Sequence, residues 1–170
     1  MSETAYFATG CFWGAERRFW NLSGVIETRV GYMGGMTPNP SYEEVCTGTT
    51  GHAEMVKVVF DPQLITYRDL LKEFWTMHDP TSLNQQGGDI GTQYRSAIFT
   101  TSQAQMDAAL ATRSQYEAVL AKSGIGPIVS EILDGSTIPF YDAEEYHQRY
   151  LEKNPNGYDC HSSTGVAFPA

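Results

Sequence analysis

A cysteine, two aromatic residues and two glycines fill five consecutive positions, Gly10, Cys11, Phe12, Trp13 and Gly14. The apolar run before them, Ala5 to Ala8, has the character of a strand, and the run from Ala15 to Trp20 that of a helix. The cysteine therefore stands where a strand hands over to a helix. Backbone N–H groups and the positive end of a helix macrodipole stabilise a thiolate there, and the thiolate is the nucleophilic form of cysteine. A small buried hydrophobe fits the same position, so spacing alone leaves both readings open. Neighbouring side chains on a helix diverge by about 100°, which keeps Phe12 and Trp13 from sharing one core and leaves at least one ring beside the thiol.

A second candidate lies on the stretch Ala53 to Phe60. Its period of two places Glu54 on one face with Val56, Val58 and Phe60. A carboxyl group buried among apolar side chains has a raised pKa and can donate a proton near neutral pH. A solvated strand end is the competing reading, because Glu54 is only the second residue of the run. Tyr94 opens another predicted strand, Tyr94 to Thr100, whose polar start either borders a site or holds a core phenol with a satisfied hydroxyl. The third cysteine, Cys160, lies in Tyr158 to Ala170, a stretch without periodicity that reads as a mobile tail able to carry one thiol to another.

These residues need a scaffold. Val25 to Tyr32 reads as a second strand, and Ser41 with Glu44 forms a capping-box pattern for a short helix carrying Tyr42 and Cys46. Thr66 opens a helix with Leu70, Leu71, Phe74 and Trp75 at helical spacing, ended by Asp79 and Pro80, where His78 reads as a charge partner for the helix end. A long connection, Thr81 to Thr92, holds Asp89 among glycines, and such loops often carry function. Beyond the fourth strand, Ser102 and Gln105 cap a helix to about Ala121, Ile128 to Leu133 forms a strand, and Asp142 caps a helix to about Lys153. Without the short helix, the first two-thirds has the β-α-β-β-α-β order of a ferredoxin-like split motif. The expected fold is α+β, a mixed sheet with packed helices and an irregular C-terminal tail.

With 170 residues, 41% of them hydrophobic and 18% charged, the chain has the size and composition of one domain, residues 1–170 with a tail over 154–170. A net charge of −9 argues against nucleic acid or an anionic membrane as partner. The start of the chain has neither the basic region nor the long apolar run of a signal peptide or membrane span, which places the protein in the cytoplasm. Three cysteines, Cys11, Cys46 and Cys160, without a CxxC pair, speak against a disulfide framework or structural zinc and for thiol redox chemistry. Cys11 would take an oxygen atom as a sulfenic acid, Cys160 would condense with it to a disulfide, and an external dithiol would reduce that bond.

GCFWG from Gly10 resembles the active-site motif of the A-type peptide methionine sulfoxide reductases. GYMGGMTPNPSYEEVCTGTTGHAE from Gly31, GTQYRSAIF from Gly91 and YLEKNPNGY from Tyr150 resemble further blocks of that family, so the likeness spans nearly the whole chain. The resemblance implies that Cys11 attacks the sulfoxide sulfur while Phe12 and Trp13 form the pocket for the substrate's terminal methyl group. It implies that Glu54, Tyr42 and Tyr94 bind and protonate the sulfoxide oxygen, that Asp89 positions the substrate, and that Cys160 resolves the intermediate. The implied substrates are free and protein-bound methionine sulfoxide of the S epimer. The implied reductant is thioredoxin, with no metal or bound cofactor, and the working form is a monomer. Cys46 has no matching role. Asp159, inserted between Tyr158 and Cys160, and Gly88, ahead of Asp89, depart from the family pattern.

Two other classes remain. A cysteine hydrolase would pair Cys11 with a base among His52, His78, His147 and His161 and would not need Cys160. A redox-sensing or methionine-binding module would use the same aromatic pocket without turnover.

Overall fold

The computed structural model describes residues 1–159 and 162–169. Its first strand, β1 (Glu3–Thr9), buries Ala5 and Phe7 on one face and Ala8 on the other, so the strand is central. Helix α1 (Phe12–Trp20) returns across the sheet, and Phe19 stacks on Phe7 with ring centroids 5.1 Å apart. Strand β2 (Val25–Met33) follows. Helix α2 (Tyr42–Cys46) opens with the expected capping box, in which Ser41 Oγ accepts from the Glu44 N–H and Glu44 accepts from the Ser41 N–H. Strand β3 (Ala53–Phe60) and helix α3 (Tyr67–Met77) complete the next unit, and Thr66 with Asp69 caps α3 in the same reciprocal way.

The connection after α3 is a small hairpin, β4 (Gln85–Gln86) with β5 (Asp89–Ile90), turning at Gly87 and Gly88. A short 3₁₀ turn, Thr92–Tyr94, precedes β6 (Ser96–Thr100), so Tyr94 belongs to the turn and not, as its sequence suggests, to the strand. Helix α4 (Gln103–Lys122), β7 (Glu131–Asp134), β8 (Phe140–Asp142) and α5 (Tyr150–Lys153) follow. The six-stranded sheet has the order β7-β6-β1-β3-β2-β8, antiparallel except for the parallel β6 and β7 pair. Its four central strands, β6-β1-β3-β2, have the ferredoxin-like split arrangement expected from the element order, and the fold is α+β.

One core lies between the sheet and the helices, with Phe7, Phe19, Phe74, Trp75 and Tyr116 excluded from solvent. Ala8, Met33, Met55, Ala97 and Phe99 fill the opposite face. Each large apolar side chain so buried contributes about 1.5–3 kcal/mol. The Trp75 indole, deep in the first core, donates to Thr112 Oγ1 at 2.9 Å, so its own N–H is paired.

The last third departs from expectation. The strand anticipated at Ile128 begins at Glu131, because the Ile128 N–H is taken by Glu117 Oε2 on α4 and not by a neighbouring strand. The helix anticipated from Asp142 to Lys153 is instead β8, a 3₁₀ turn at Glu145–His147 and a single helical turn. Gln148 explains the break. Its side-chain amide accepts from Val30 N–H and donates to Val30 C=O, both at 2.8 Å, which fixes the segment against β2. Arg149 then reverses the chain in the left-handed region, at φ 50°. The described part of the tail is docked, since the Tyr116 hydroxyl donates to Val166 C=O at 2.7 Å and Phe168 stacks on Tyr116. No helix among the described residues is long and apolar enough to cross a membrane.

Candidate active site

The sharp turn from β1 into α1 depends on Gly10. Its φ of 106° is a conformation that L side chains rarely adopt, and a Cβ there would lie 2.9 Å from the side chain of Gln86. Gln86 is itself held, accepting from Asp79 N–H at 3.0 Å and donating to Asp79 C=O at 2.6 Å, so the small hairpin abuts the turn. Cys11 is the N-cap residue of α1, half-buried, and its side chain does not cap the helix.

The first N–H of the helix after the cysteine, that of Phe12, donates to Glu54 Oε1 at 3.1 Å. Glu54 is 2% exposed, which removes the reading of a solvated strand end. Desolvation pushes its pKa up to about 8, against the lowering effect of the Phe12 N–H and with a further rise from the Asp89 charge. Glu54 is therefore largely a neutral carboxylic acid at pH 7.

Two phenols complete this neighbourhood. Tyr42, whose backbone N–H is held by Glu144 Oε2 at 2.9 Å, shares a side-chain hydrogen bond with the exposed Cys46. Burial pushes the hydroxyls of Tyr42 and Tyr94 well above their ordinary range, and Glu54 adds to both shifts. Tyr94 also responds to the charges of Asp89 and Cys11. Asp89 accepts from the Tyr158 hydroxyl at Oδ1, 3.0 Å away, while its Oδ2 is buried without a hydrogen-bond partner among the described residues.

The two aromatic residues of the motif differ in burial but do not separate into different cores as expected, since Trp13 packs against the same cluster as Phe12 and both rings meet His147. Phe12 is 1% exposed and packs against Tyr32 and His147, forming a floor. Trp13 stays half-exposed and lies flat on Tyr150, with centroids 3.8 Å apart and planes 10° from parallel. Its indole N–H donates to His147 Nδ1 at 3.0 Å.

Cys160 lies outside the described residues, as does His161. The two residues before Cys160 are tied to the site on either side. Tyr158 bonds to Asp89, and the Asp159 carboxylate pairs with Arg17 through one oxygen and with Arg18, at 3.1 Å, through the other. Gly14 makes room for this contact, since a Cβ there would run into Asp159.

Of the other histidines, His52 accepts from Gly35 N–H at Nδ1, and its Nε2 contacts Thr37 C=O. His78 is not the charged helix partner expected from its position. Its ring bonds Phe74 C=O and Ser96 Oγ, and burial lowers its pKa to about 4, so it is neutral. Both rings are committed elsewhere, and neither serves as a base for Cys11. Sequence reasoning missed His147 as a partner of Trp13, and Glu144 as the group that accepts from both the Tyr32 hydroxyl and the Tyr42 N–H. Neither lies near its partner in sequence, and no local pattern marks them.

A thiol at a helix N-terminus, a neutral buried acid one hydrogen bond away and two protonated phenols suit one kind of chemistry. The thiol attacks a centre whose attached oxygen must be protonated as electrons arrive.

Comparison with known proteins points the same way. The profile described as peptide methionine sulfoxide reductase matches residues 3–167. A peptide methionine sulfoxide reductase MsrA of Azotobacter vinelandii is 59% identical over 165 residues, 97% of this chain and 76% of that protein. The solved structure of methionine sulfoxide reductase A of Corynebacterium diphtheriae superposes with a TM-score of 0.86 at 47% identity, covering 99% of this chain and 84% of that one. Mxr1 from Saccharomyces cerevisiae, solved in complex with Trx2, superposes with a TM-score of 0.62 at 25% identity over 95% of this chain and 89% of its own.

Proposed function

This chain belongs to the peptide methionine sulfoxide reductase family, and we propose that it reduces the S epimer of methionine sulfoxide, free or within proteins, to methionine, with thioredoxin as the final reductant. The observation that carries the mechanism is the bond from Phe12 N–H to Glu54, which sets a protonated carboxylic acid beside the cysteine. The Cys11 thiolate attacks the sulfoxide sulfur while Glu54, with Tyr42 and Tyr94, hydrogen-bonds and protonates the oxygen. Oxygen passes to Cys11, methionine leaves with its sulfur reduced by two electrons, and Cys11 becomes a sulfenic acid. The Cys160 thiol then displaces water from that sulfenic acid to give a disulfide. A thioredoxin dithiol reduces the disulfide by exchange and is itself oxidised.

Trp13, over the floor formed by Phe12, receives the substrate's methyl group, and Asp89 positions the rest of the methionine. A methyl pocket supplies only about 1–3 kcal/mol of discrimination, so epimer choice requires the oxygen site as well. Residues 1–170 act as one catalytic unit, its tail 154–170 bringing the resolving thiol. The working form is a cytoplasmic monomer, and its electrons come from thiols, with no metal or bound cofactor in the cycle. The net charge of −9 supports the absence of affinity for nucleic acid and anionic membranes.

Thioredoxin-coupled turnover of the two separate epimers tests the reading, with Cys11→Ser and Cys160→Ser alongside. The expected results are turnover of the S epimer alone, no activity in Cys11→Ser, and one turnover without thioredoxin recycling in Cys160→Ser. Equal use of both epimers, or full activity in Cys11→Ser, would overturn it.

A further inference from the structure

We infer that Glu144 is a positioning residue for the oxygen site: its one carboxylate holds both the Tyr32 hydroxyl and the Tyr42 N–H, and so fixes the helix that carries Tyr42 against the strand pair that carries Glu54. The inference rests on the reading of Tyr42 given above, as a donor to the sulfoxide oxygen.

Each oxygen of Glu144 has its own donor. Oε1 accepts from the Tyr32 hydroxyl and Oε2 from the Tyr42 N–H, both at 2.9 Å. Tyr32 lies directly opposite Glu54 where β2 pairs with β3, is excluded from solvent, and packs its ring against Phe12 with centroids 5.8 Å apart. Its hydroxyl is therefore fixed to the sheet beside Glu54. Tyr42, in contrast, is the first residue of α2, a helix of five residues. So short a helix holds no firm orientation of its own, because nucleation costs more than its few hydrogen bonds return. The capping box joins Ser41 to Glu44 within the same turn and cannot aim the helix at the sheet. Burial of Val45 anchors the helix, but apolar packing is non-directional, whereas a charge-assisted bond from the Tyr42 N–H sets a direction.

The backbone that carries Glu144 is itself fixed. Tyr141 and Asp142 pair with Tyr32 and Gly31, the Ala143 N–H donates to Val30 C=O at 3.0 Å, and Gln148 bonds Val30 through its side chain. Glu144 thus projects from a segment tied to β2 on both sides of it. Burial acts to raise its pKa, but the N–H of Tyr42, its own N–H and the Tyr32 hydroxyl outweigh that effect, so an ionised carboxylate faces the two donors. Burial, and then the bond to Glu144, push the Tyr32 hydroxyl well above its ordinary range and keep it a donor. The carboxylate sets how far apart Glu54 and Tyr42 stand. A donor displaced from the position the sulfoxide oxygen takes in the transition state stabilises it less, so the loss falls on the chemical step.

Single-turnover reduction of methionine sulfoxide at saturating substrate is the test. Glu144→Leu removes both acceptors at similar size and is expected to slow the step about tenfold. Glu144→Gln removes the charge but keeps an oxygen for the Tyr42 N–H and an amide N–H for the Tyr32 oxygen, and is expected to stay within about threefold of wild type. Equal losses in the two variants would overturn the inference. Alkylation of Cys11 by iodoacetamide, followed at that residue by mass spectrometry, should be unchanged in Glu144→Leu. A fall matching that of the turnover would mean a general disturbance of the site and would overturn the inference as well. In a Tyr42→Phe background, which has no phenol to position, Glu144→Leu should add less than about twofold; a full additive effect would exclude action through Tyr42. Should Glu144→Leu fail to fold, Tyr32→Phe takes its place, with a loss of about threefold expected in the wild-type background and none with Tyr42→Phe. No loss in either background, or the same loss in both, would overturn the inference. If Tyr42→Phe alone leaves the rate unchanged, the oxygen-site role of Tyr42 fails and the inference falls with it. If Tyr42→Phe slows the step while Glu144→Leu does not, that role stands and only the role of Glu144 is lost.

Discussion

The backbone N–H of Phe12 donates to Glu54 Oε1 at 3.1 Å, so the residue after Cys11 and a buried acid from the middle of the sheet are joined directly. Strand β3 carries the carboxyl group to the N-terminus of α1, and that N-terminus is also where a thiolate is stabilised. The same bond favours ionised Glu54, yet burial outweighs it and the acid stays protonated up to about pH 8. A proton donor thus lies at the N-terminus of α1 at neutral pH.

Replacing Glu54 by Gln keeps an acceptor for the Phe12 N–H and removes the proton. Single-turnover reduction should slow by about 10²–10⁴-fold. The wild-type rate should fall as the pH rises through about 8, where Glu54 ionises, and the variant should lack that falling limb. Rapid-quench measurement of methionine formed per enzyme from pH 6 to 10 checks both, and an unchanged rate in Glu54→Gln would refute the acid role.

The Tyr158 hydroxyl donates to Asp89 Oδ1, linking the start of the tail to the carboxylate proposed to position the substrate. Tyr158→Phe should loosen Asp89 and raise KM for a peptide substrate about fivefold, consistent with the loss of a hydrogen bond to a charged group. The rate of a saturated single turnover should change little. Steady-state kinetics on a methionine sulfoxide peptide separates the two.

Asp159 is tied to α1 through Arg17 and Arg18, each on one carboxylate oxygen, and the two arginines lower its pKa despite partial burial. In Asp159→Asn that anchor is weakened. Coupled turnover should fall severalfold while single-turnover sulfoxide reduction is retained, if the tail serves only the resolving step as proposed. Partly exposed ion pairs are screened by salt, so high ionic strength should slow the wild-type recycling step more than that of the variant. Equal salt dependence in the two proteins would remove the role assigned to the anchor.

Much of the site can be recognised in the sequence because its members mark themselves locally. Cys11 stands at a glycine-flanked change of period, Glu54 interrupts an apolar face, and the capping boxes at Ser41 and Thr66 fix where their helices begin. Helical divergence of Phe12 and Trp13 suggests that they do not share one core, yet Trp13, though partly exposed, packs against the same cluster as Phe12. What could not be recognised depends on contacts between distant segments. His147 meets Trp13 across 134 positions, and Glu144 reaches Tyr42 across 102. The helix expected over 142–153 failed for a similar reason: Gln148 mimics a strand partner for Val30, a role that periodicity does not encode.

Two buried groups give the stability a pH dependence whose signs oppose each other. His78, lowered to about 4, binds fewer protons folded than unfolded between about pH 4 and 6.5, so it contributes stability that is lost as the pH falls through that window. Glu54, raised to about 8, binds more protons folded than unfolded between about 4.5 and 8, so its contribution is present below 4.5 and is lost as the pH rises through 8. The two offset each other from about pH 4.5 to 6.5, and only the Glu54 effect remains between 6.5 and 8. Stability should therefore fall by about 2 kcal/mol over that upper interval. Glu16, buried and raised by desolvation, acts with the sign of Glu54. Urea unfolding at half-unit pH steps checks the balance. Glu54→Gln should flatten the fall above 6.5 and expose the loss from His78 below it, whereas His78→Gln should leave a decline running from about 4.5 to 8. An unaltered profile in Glu54→Gln would mean that the carboxyl is ionised in the folded protein, and Glu54 would then be unable to act as the acid.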